Sequence, residues 1–163
     1  MNRPVAFIGA SGSGKTRLVV ELIRHYAGKS ISTGAIKHGH HEPHRGSSDT
    51  DRFLEAGAQQ TIYAAGDRFW IFSSNPLPQE GRFHSPDELP SLMNTDRVLI
   101  EGFKNHTSWP RMLVERSGVS SVQVPKEQLI GIVTDEPGGA PLTTFAPEDI
   151  ESIARFIDRI SSK

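Results

Sequence analysis

Gly9-Ala10-Ser11-Gly12-Ser13-Gly14-Lys15-Thr16 fits the pattern G-x-x-x-x-G-K-[S/T] without a gap or a substitution. Its flanks decide what the pattern means. Before it, Pro4-Val5-Ala6-Phe7-Ile8 is a short apolar run suited to a buried parallel strand. After it, Leu18, Val19, Leu22, Ile23 and Tyr26 recur at helical spacing. Strand, glycine-rich turn and helix in that order make a phosphate site. Backbone N–H groups of residues 11–16 would wrap a polyphosphate, and Gly12 and Gly14 permit the tight backbone. The opening turn of the helix adds unpaired N–H groups and a favourable dipole. Lys15 would reach the terminal phosphates and the Thr16 hydroxyl would sit on Mg²⁺.

The rest of the chain is read outward from this loop. A first helix is expected over residues 15–27, with Gly28 as its stop. Residues 31–37 read as a second strand feeding a polar, histidine-rich loop. Ser48 and Asp51 resemble a capping box at the start of a short helix, residues 49–56, ended by Gly57. Residues 61–65 and 68–72 read as strands around an Ala65-Gly66-Asp67 turn. In the second of these, Phe69 and Ile71 would face one side and Trp70 and Phe72 the other, which implies full burial or an interface. Residues 75–85, with two prolines and a glycine, read as an exposed loop. Pro86-Asp87-Glu88-Leu89 starts a helix that Pro90 keeps brief. Residues 96–101 are the second clear buried strand, residues 112–115 and 129–133 are further strands, and a last helix runs from about Pro147 to Ser161 on an apolar face of Ile150, Ile153, Ala154, Ile157 and Ile160.

These elements predict one α/β domain over residues 1–163, a three-layer P-loop NTPase fold with a mostly parallel sheet flanked by helices. In such sheets ligands bind at the carboxyl ends of the strands. Gly9 to Thr16, Glu101-Gly102 and Thr134-Asp135 are therefore expected to converge on one crevice.

Composition bounds the chemistry. The chain has 163 residues, 36% hydrophobic and 23% charged, and a formal charge of −1. That balance gives no reason to expect nucleic acid or an acidic membrane as partner. There are no cysteines, which excludes disulfides and thiolate chemistry and is compatible with a reducing cytoplasm. No apolar run is long enough for a membrane helix.

Several residues are candidates beyond the loop. Glu101, at a buried strand end, is the candidate second metal-site carboxylate or the group that positions an attacking water. Phosphate-loop proteins more often place Asp there. Asp135 reads either as a guanine reader, accepting from N1–H and N2–H₂, or as a turn former before Pro137. His38, His40, His41 and His44 read either as a Zn²⁺ or Ni²⁺ site or, with Lys37 and Arg45, as contacts to an anionic ligand or partner. Asp49 and Arg52 open the next helix, either as helix-end charges or as site residues. Lys104, Arg111 and Arg116 read either as phosphate ligands for a second substrate or as a charged rim. Trp70 and Trp109 read as core or interface residues rather than a base-stacking platform.

Taken together, the motifs resemble the molybdopterin-guanine dinucleotide biosynthesis protein B family. The matching pieces are residues 9–16, Ile36-Lys37-His38-Gly39-His40-His41, Asp49-Thr50-Asp51-Arg52, Glu55-Ala56-Gly57-Ala58, Ala65-Gly66-Asp67-Arg68, Ile100-Glu101-Gly102-Phe103-Lys104 with Pro110 and Glu115-Arg116, and Ile132-Val133-Thr134-Asp135. They run in family order from residue 5 to about 135. The resemblance implies a homodimeric, cytoplasmic, Mg²⁺- and GTP-binding adaptor of molybdenum cofactor assembly with weak GTP hydrolysis. It implies the guanylyltransferase that joins GMP to molybdopterin and the molybdenum insertion protein as partners, with molybdopterin a further candidate ligand. In this reading Gly9, Ala10, Ser11, Gly12, Ser13, Gly14, Lys15, Thr16 and Asp135 hold the nucleotide. Thr16, Glu101 and Asp49 serve the metal, and Glu101 and Arg52 act in hydrolysis. The alternatives are a small-molecule kinase using ATP and a nickel metallochaperone GTPase.

Overall fold

The computed structural model describes residues 4–43, 48–73, 79–136, 138 and 141–161. Strands are β1 (Val5–Ile8), β2 (Thr33–His38), β3 (Gln60–Ala65), β4 (Arg68–Ser73), β5 (Gln79–Arg82), β6 (Arg97–Glu101), β7 (Arg111–Glu115), β8 (Gly131–Thr134) and β9 (Thr144–Phe145). Helices are α1 (Lys15–Gly28), α2 (Asp49–Glu55) and α3 (Ile150–Ser161), with 3₁₀ turns at Pro86–Leu92 and Lys126–Gln128. The strands form one sheet in the order β5-β4-β3-β2-β6-β1-β7-β8-β9. Only the β3–β4 and β4–β5 pairs are antiparallel. This is an α/β fold with a mostly parallel sheet flanked by helices.

Alternation along the strands splits the core in two. Val5 and Phe7 of β1 join α1, α2 and α3 in one cluster, where Leu18, Leu22, Ile23, Phe53, Ile153 and Ile157 are buried. Ala6 points to the other face, with Ile36, Ile62, Val98, Ile100, Phe103 and Trp109. That second face is covered by Leu89 of the Pro86–Leu92 turn and by the segment after β6 rather than by an α-helix. β1 is fully buried because strands pair on both its sides and both its faces are covered.

The caps follow from the residues. Ser48 accepts from the Asp51 N–H while the Asp51 carboxylate accepts from the Ser48 N–H, so the capping box closes as read. At the other end of the first helix, α1 runs through Gly28, and the left-handed residue that closes it is Ser30, at φ +57°. Leucine and phenylalanine spacing places Phe53 in the core and leaves Leu54 half-buried.

One expectation is corrected. Residues 79–82, read as exposed loop, form the edge strand β5, paired antiparallel with β4; residues 75–78 of that reading lie outside the described residues. An edge strand with one partner and exposed side chains carries no hydrophobic alternation, so it leaves no periodic trace. Gly81 belongs to the pairing: a Cβ there would stand 2.5 Å from the Phe69 ring. The short strand β9 is likewise too brief for a pattern. Trp70 is buried beside Tyr63, and Trp109 is buried against Phe103 and His106.

α3 is docked through Ile153, Ala154 and Ile157, which join the core cluster that includes Tyr26, and the Tyr26 hydroxyl donates to the Ala154 carbonyl. Ile157→Ala is expected to lower unfolding free energy by about 3 kcal/mol, while the exposed Arg155→Ala changes it by less than about 0.5 kcal/mol. Urea unfolding of the two variants checks the ratio.

Candidate functional site

Three strand ends meet at one point. In the sheet register Glu101 stands beside Phe7 of β1 on one side and beside Lys37 of β2 on the other. The loop that leaves β1 therefore arches over the ends of β6 and β2. Gly12 and Gly14 in it have φ of +78° and +98°, and the space beyond both is open. A side chain could not take those angles without strain, and the open space is what a phosphate needs. Gly9 packs the loop onto β7, since a Cβ there would lie 2.2 Å from the Val114 carbonyl oxygen. Gly14 caps α1 without a side-chain partner for the first-turn N–H groups.

The side chains interlock. Lys15 Nζ donates to the carbonyls of Gly9 at 2.9 Å and Ala10 at 2.6 Å, so the lysine is folded back along its own loop. Thr16 Oγ1 lies 3.0 and 2.9 Å from the two Glu101 carboxylate oxygens. Lys37 Nζ lies 2.5 Å from Glu101 Oε1 and 2.7 Å from Asp49 Oδ2. Arg52 is 3.6 Å from the other Asp49 oxygen, on a side chain half in solvent. The Glu101 side chain is 3% exposed, and a carboxylate that deep needs partners to stay charged. Burial pulls the Lys15 ammonium below its ordinary range. Burial acts on Lys37 the same way, but Glu101 and Asp49 outweigh it and hold that ammonium above its ordinary range.

These groups line a cavity of about 1040 Å³. One wall is the loop and the start of α1; the other is His38 at the end of β2 with Gly39 and His40, and Gly102 to His106 after β6. The turn after Glu101 is sharp: Gly102 has φ +104° and Phe103, a bulky residue, has φ +53°. Phe103 is held there by stacking on His38, centroids 4.1 Å apart and planes 14° apart, and by an edge contact to Trp109. Burial lowers the His38 pKa, so its ring is the neutral form at neutral pH.

The expected residues separate into two groups. The loop from Gly9 to Gly14, Lys15, Thr16, Asp49, Arg52 and Glu101 share the large cavity, Ser13 excepted. Asp135 does not reach it. It lines a second hollow of about 350 Å³ with Ser13, Gly14, Arg17, Glu21, Arg116 and Glu148. The single expected crevice is therefore two hollows that share Gly14 and Arg17 at the loop. The strand order explains it: β7 lies between β1 and β8, so the end of β8 is about 10 Å from the end of β1. Asp135 accepts from the Ser117 N–H at 2.8 Å and the Ser117 hydroxyl at 2.7 Å, and these bonds hold its pKa below the usual carboxylate range.

Other candidates resolve differently. Lys104 lines the large cavity and Arg116 the small one. Arg111 lines neither. It is 1% exposed and donates to the Lys104 carbonyl and to Gln128, and burial lowers its pKa. Its work is to anchor the segment that follows β6. Of the histidines, His38 and His40 line the cavity, the His41 carbonyl accepts from the Tyr63 hydroxyl, and His44 and Arg45 lie outside the described residues. Among the described residues no three His, Cys, Asp or Glu side chains form a group that could hold a metal ion by themselves. The Ser13 hydroxyl is buried without a hydrogen-bond partner among the described residues. The residue that sequence reasoning underrated is Lys37. Its signal was its place at the end of an apolar strand, but its partner, 64 residues away, is set only by strand register.

The model of the family described as molybdopterin guanine dinucleotide synthesis protein B matches residues 5–135. The molybdopterin-guanine dinucleotide biosynthesis adapter protein of Haemophilus influenzae is 32% identical over 165 aligned residues, covering 97% of this chain and 90% of its own. That of Escherichia coli is 30% identical over 161, covering 94% and 90%. Among solved structures, MobB of Bacillus subtilis superposes with a TM-score of 0.57 at 22% identity, over 98% of this chain and 96% of its own. A MobB homolog from Bacillus stearothermophilus gives 0.53 at 18%, with the same coverage. At these identities the two structures speak to the fold.

The Gly102 turn can be tested directly. A Cβ there would stand 2.9 Å from the His38 Cβ at a φ that side chains resist. Gly102→Ala is expected to cost about 1–3 kcal/mol of stability in urea unfolding and to disturb the His38–Phe103 stack, read as shifted ring signals in NMR spectra.

Proposed function

The chain belongs to the molybdopterin guanine dinucleotide synthesis protein B family, and we propose that it acts there by binding GTP with Mg²⁺. It is an adapter protein of molybdopterin guanine dinucleotide biosynthesis. The kinase and nickel-chaperone readings are not favoured by that membership. The observation that carries the nucleotide proposal is the Thr16–Glu101 contact under an open, glycine-built loop.

In this reading the triphosphate lies on the backbone of residues 9–16 and Lys15 exchanges the Gly9 and Ala10 carbonyls for phosphate oxygens. The donor set fits a hard divalent cation: a hydroxyl and a carboxylate, all oxygen, with Asp49 nearby. Bound there, Mg²⁺ would neutralise charge on the terminal phosphates. Asp135 would accept from the N1–H and N2–H₂ of guanine in the smaller hollow, as a carboxylate already kept ionised by Ser117. The two hollows on either side of the loop suit a ligand with base and phosphates at opposite ends.

Hydrolysis, where it occurs, would be attack of water on the γ-phosphate, with Glu101 orienting the water. It would be slow. Arg52 lines the cavity, and its side chain is half exposed and tied to Asp49 rather than fixed as an arginine finger is. The proposal extends to one nucleotide-binding domain over residues 1–163 and a homodimer working in the cytoplasm. Among the described residues no helix is long and apolar enough to cross a membrane. The proposed partners are the guanylyltransferase and the molybdenum insertion protein, with molybdopterin as a candidate ligand.

Calorimetric titration of GTP, GDP and ATP with Mg²⁺ tests the site. Guanine nucleotides are expected to bind and ATP to bind at least about tenfold more weakly, about 1.4 kcal/mol. Lys15→Ala should abolish binding, and Asp135→Ala should erase the guanine preference while retaining phosphate affinity. Equal ATP affinity in the wild type would refute the role of Asp135. A single-turnover rate in the isolated protein near 1 s⁻¹ would refute slow hydrolysis.

A further inference from the structure

Lys37 is not one of the groups a phosphate loop needs, yet it makes the shortest ion pairs in the cavity. Its ammonium bridges Glu101 Oε1 at 2.5 Å and Asp49 Oδ2 at 2.7 Å. The same Glu101 carboxylate receives the Thr16 hydroxyl. Around that ammonium stand two carboxylates with a hydroxyl bonded to one of them, which is the hard oxygen set of a divalent-cation site with a lysine at its centre. The arrangement is built in. Parallel pairing sets Lys37 opposite Glu101 at the ends of β2 and β6. The Ser48 capping box starts α2 so that Asp49 closes the third side. The side chains of Lys37, Glu101 and Asp49 are 19%, 3% and 31% exposed, so water screens them incompletely.

We propose that Lys37 is a built-in counter-cation that holds the divalent-ion position in the nucleotide-free protein, so that metal enters only together with phosphate. This rests on the reading of Thr16 and Glu101 as the metal-serving pair. The physical reason is charge balance. A divalent ion arriving alone must displace Lys37 from the carboxylates and leave a half-buried ammonium without those partners. An ion arriving with a polyphosphate brings the anion that Lys37 can turn to. Lys37 therefore favours loading of metal and nucleotide as one species, and it keeps Glu101 and Asp49 from repelling each other while the site waits.

The test is Mn²⁺ binding to the full chain, followed by electron paramagnetic resonance. Without nucleotide, the wild type is expected to bind Mn²⁺ at least about tenfold more weakly than it does with saturating GDP. Without nucleotide, Lys37→Met is expected to bind Mn²⁺ at least about tenfold more tightly than the wild type, and adding Glu101→Gln to that variant removes the gain. A tighter metal site is not an effect that loss of structure would produce. The proposal is overturned if Lys37→Met binds Mn²⁺ no better than the wild type. Should that variant not fold, the wild-type comparison decides: equal Mn²⁺ affinity with and without GDP overturns it. Failure of the nucleotide reading itself would show separately, as GDP binding unaffected by Lys15→Ala.

Discussion

The contact between the Thr16 hydroxyl and the Glu101 carboxylate joins the first turn of α1 to the end of β6, across 85 residues of chain. Around it everything else in the cavity is arranged. The carboxylate is nearly excluded from solvent, so it has to be met by donors, and among the described residues the fold supplies Thr16 from the first turn of α1 and Lys37 from β2. The strand order β2-β6-β1 makes this possible, because it sets β6 between the strand that carries the lysine and the strand that feeds the loop. Parallel pairing then puts all three polar ends on the same edge of the sheet.

The cavity is a place where charge is held in suspension. Lys15 is satisfied by the carbonyls of its own loop and Lys37 by two carboxylates, so both cations are partnered within the chain. Removing Lys37 from this arrangement would leave the Glu101 carboxylate buried without a counter-cation. The opposite wall is stiffer. Gly102 and Phe103 take left-handed backbone angles, the His38 ring stacks on Phe103, and the buried Arg111 ties the Lys104 carbonyl to Gln128. That wall is held by aromatic packing and hydrogen bonds, among them the one between His106 Nε2 and Asp87 at 2.9 Å.

Much of this was legible residue by residue. Val5 to Ile8, the glycine-rich loop and the apolar spacing of α1 announced the strand, turn and helix, and the Ser48–Asp51 box was recovered as read, while α3 begins at Ile150 rather than near Pro147 and packs through Ile150, Ile153, Ala154 and Ile157. β5 was not legible, because an exposed edge strand pairs through its backbone and leaves its side chains free to be polar. Arg111 looked like a surface cation and is among the most buried large side chains, because carbonyl groups and an amide brought from residues 104 and 128 accept its hydrogen bonds. Asp135 was expected to share one crevice with Glu101 and lines a different hollow, because β1 and β7 lie between β6 and β8.

The sequence by itself determined the chemistry at hand and its local setting. Gly12 and Gly14 permit backbone angles that other residues resist, Lys15 and Thr16 follow them at the mouth of a helix, and Glu101 ends an apolar strand. These are consequences of neighbours a few residues apart, which periodicity and turn chemistry record. Only the tertiary structure decided which of these groups share a cavity. Lys37 meets Glu101 across 64 residues through the register of two parallel strands, and Asp135 parts from them through the order of three others. Register and strand order are settled by how whole strands bury their faces against one another, and no local pattern in the chain records that choice.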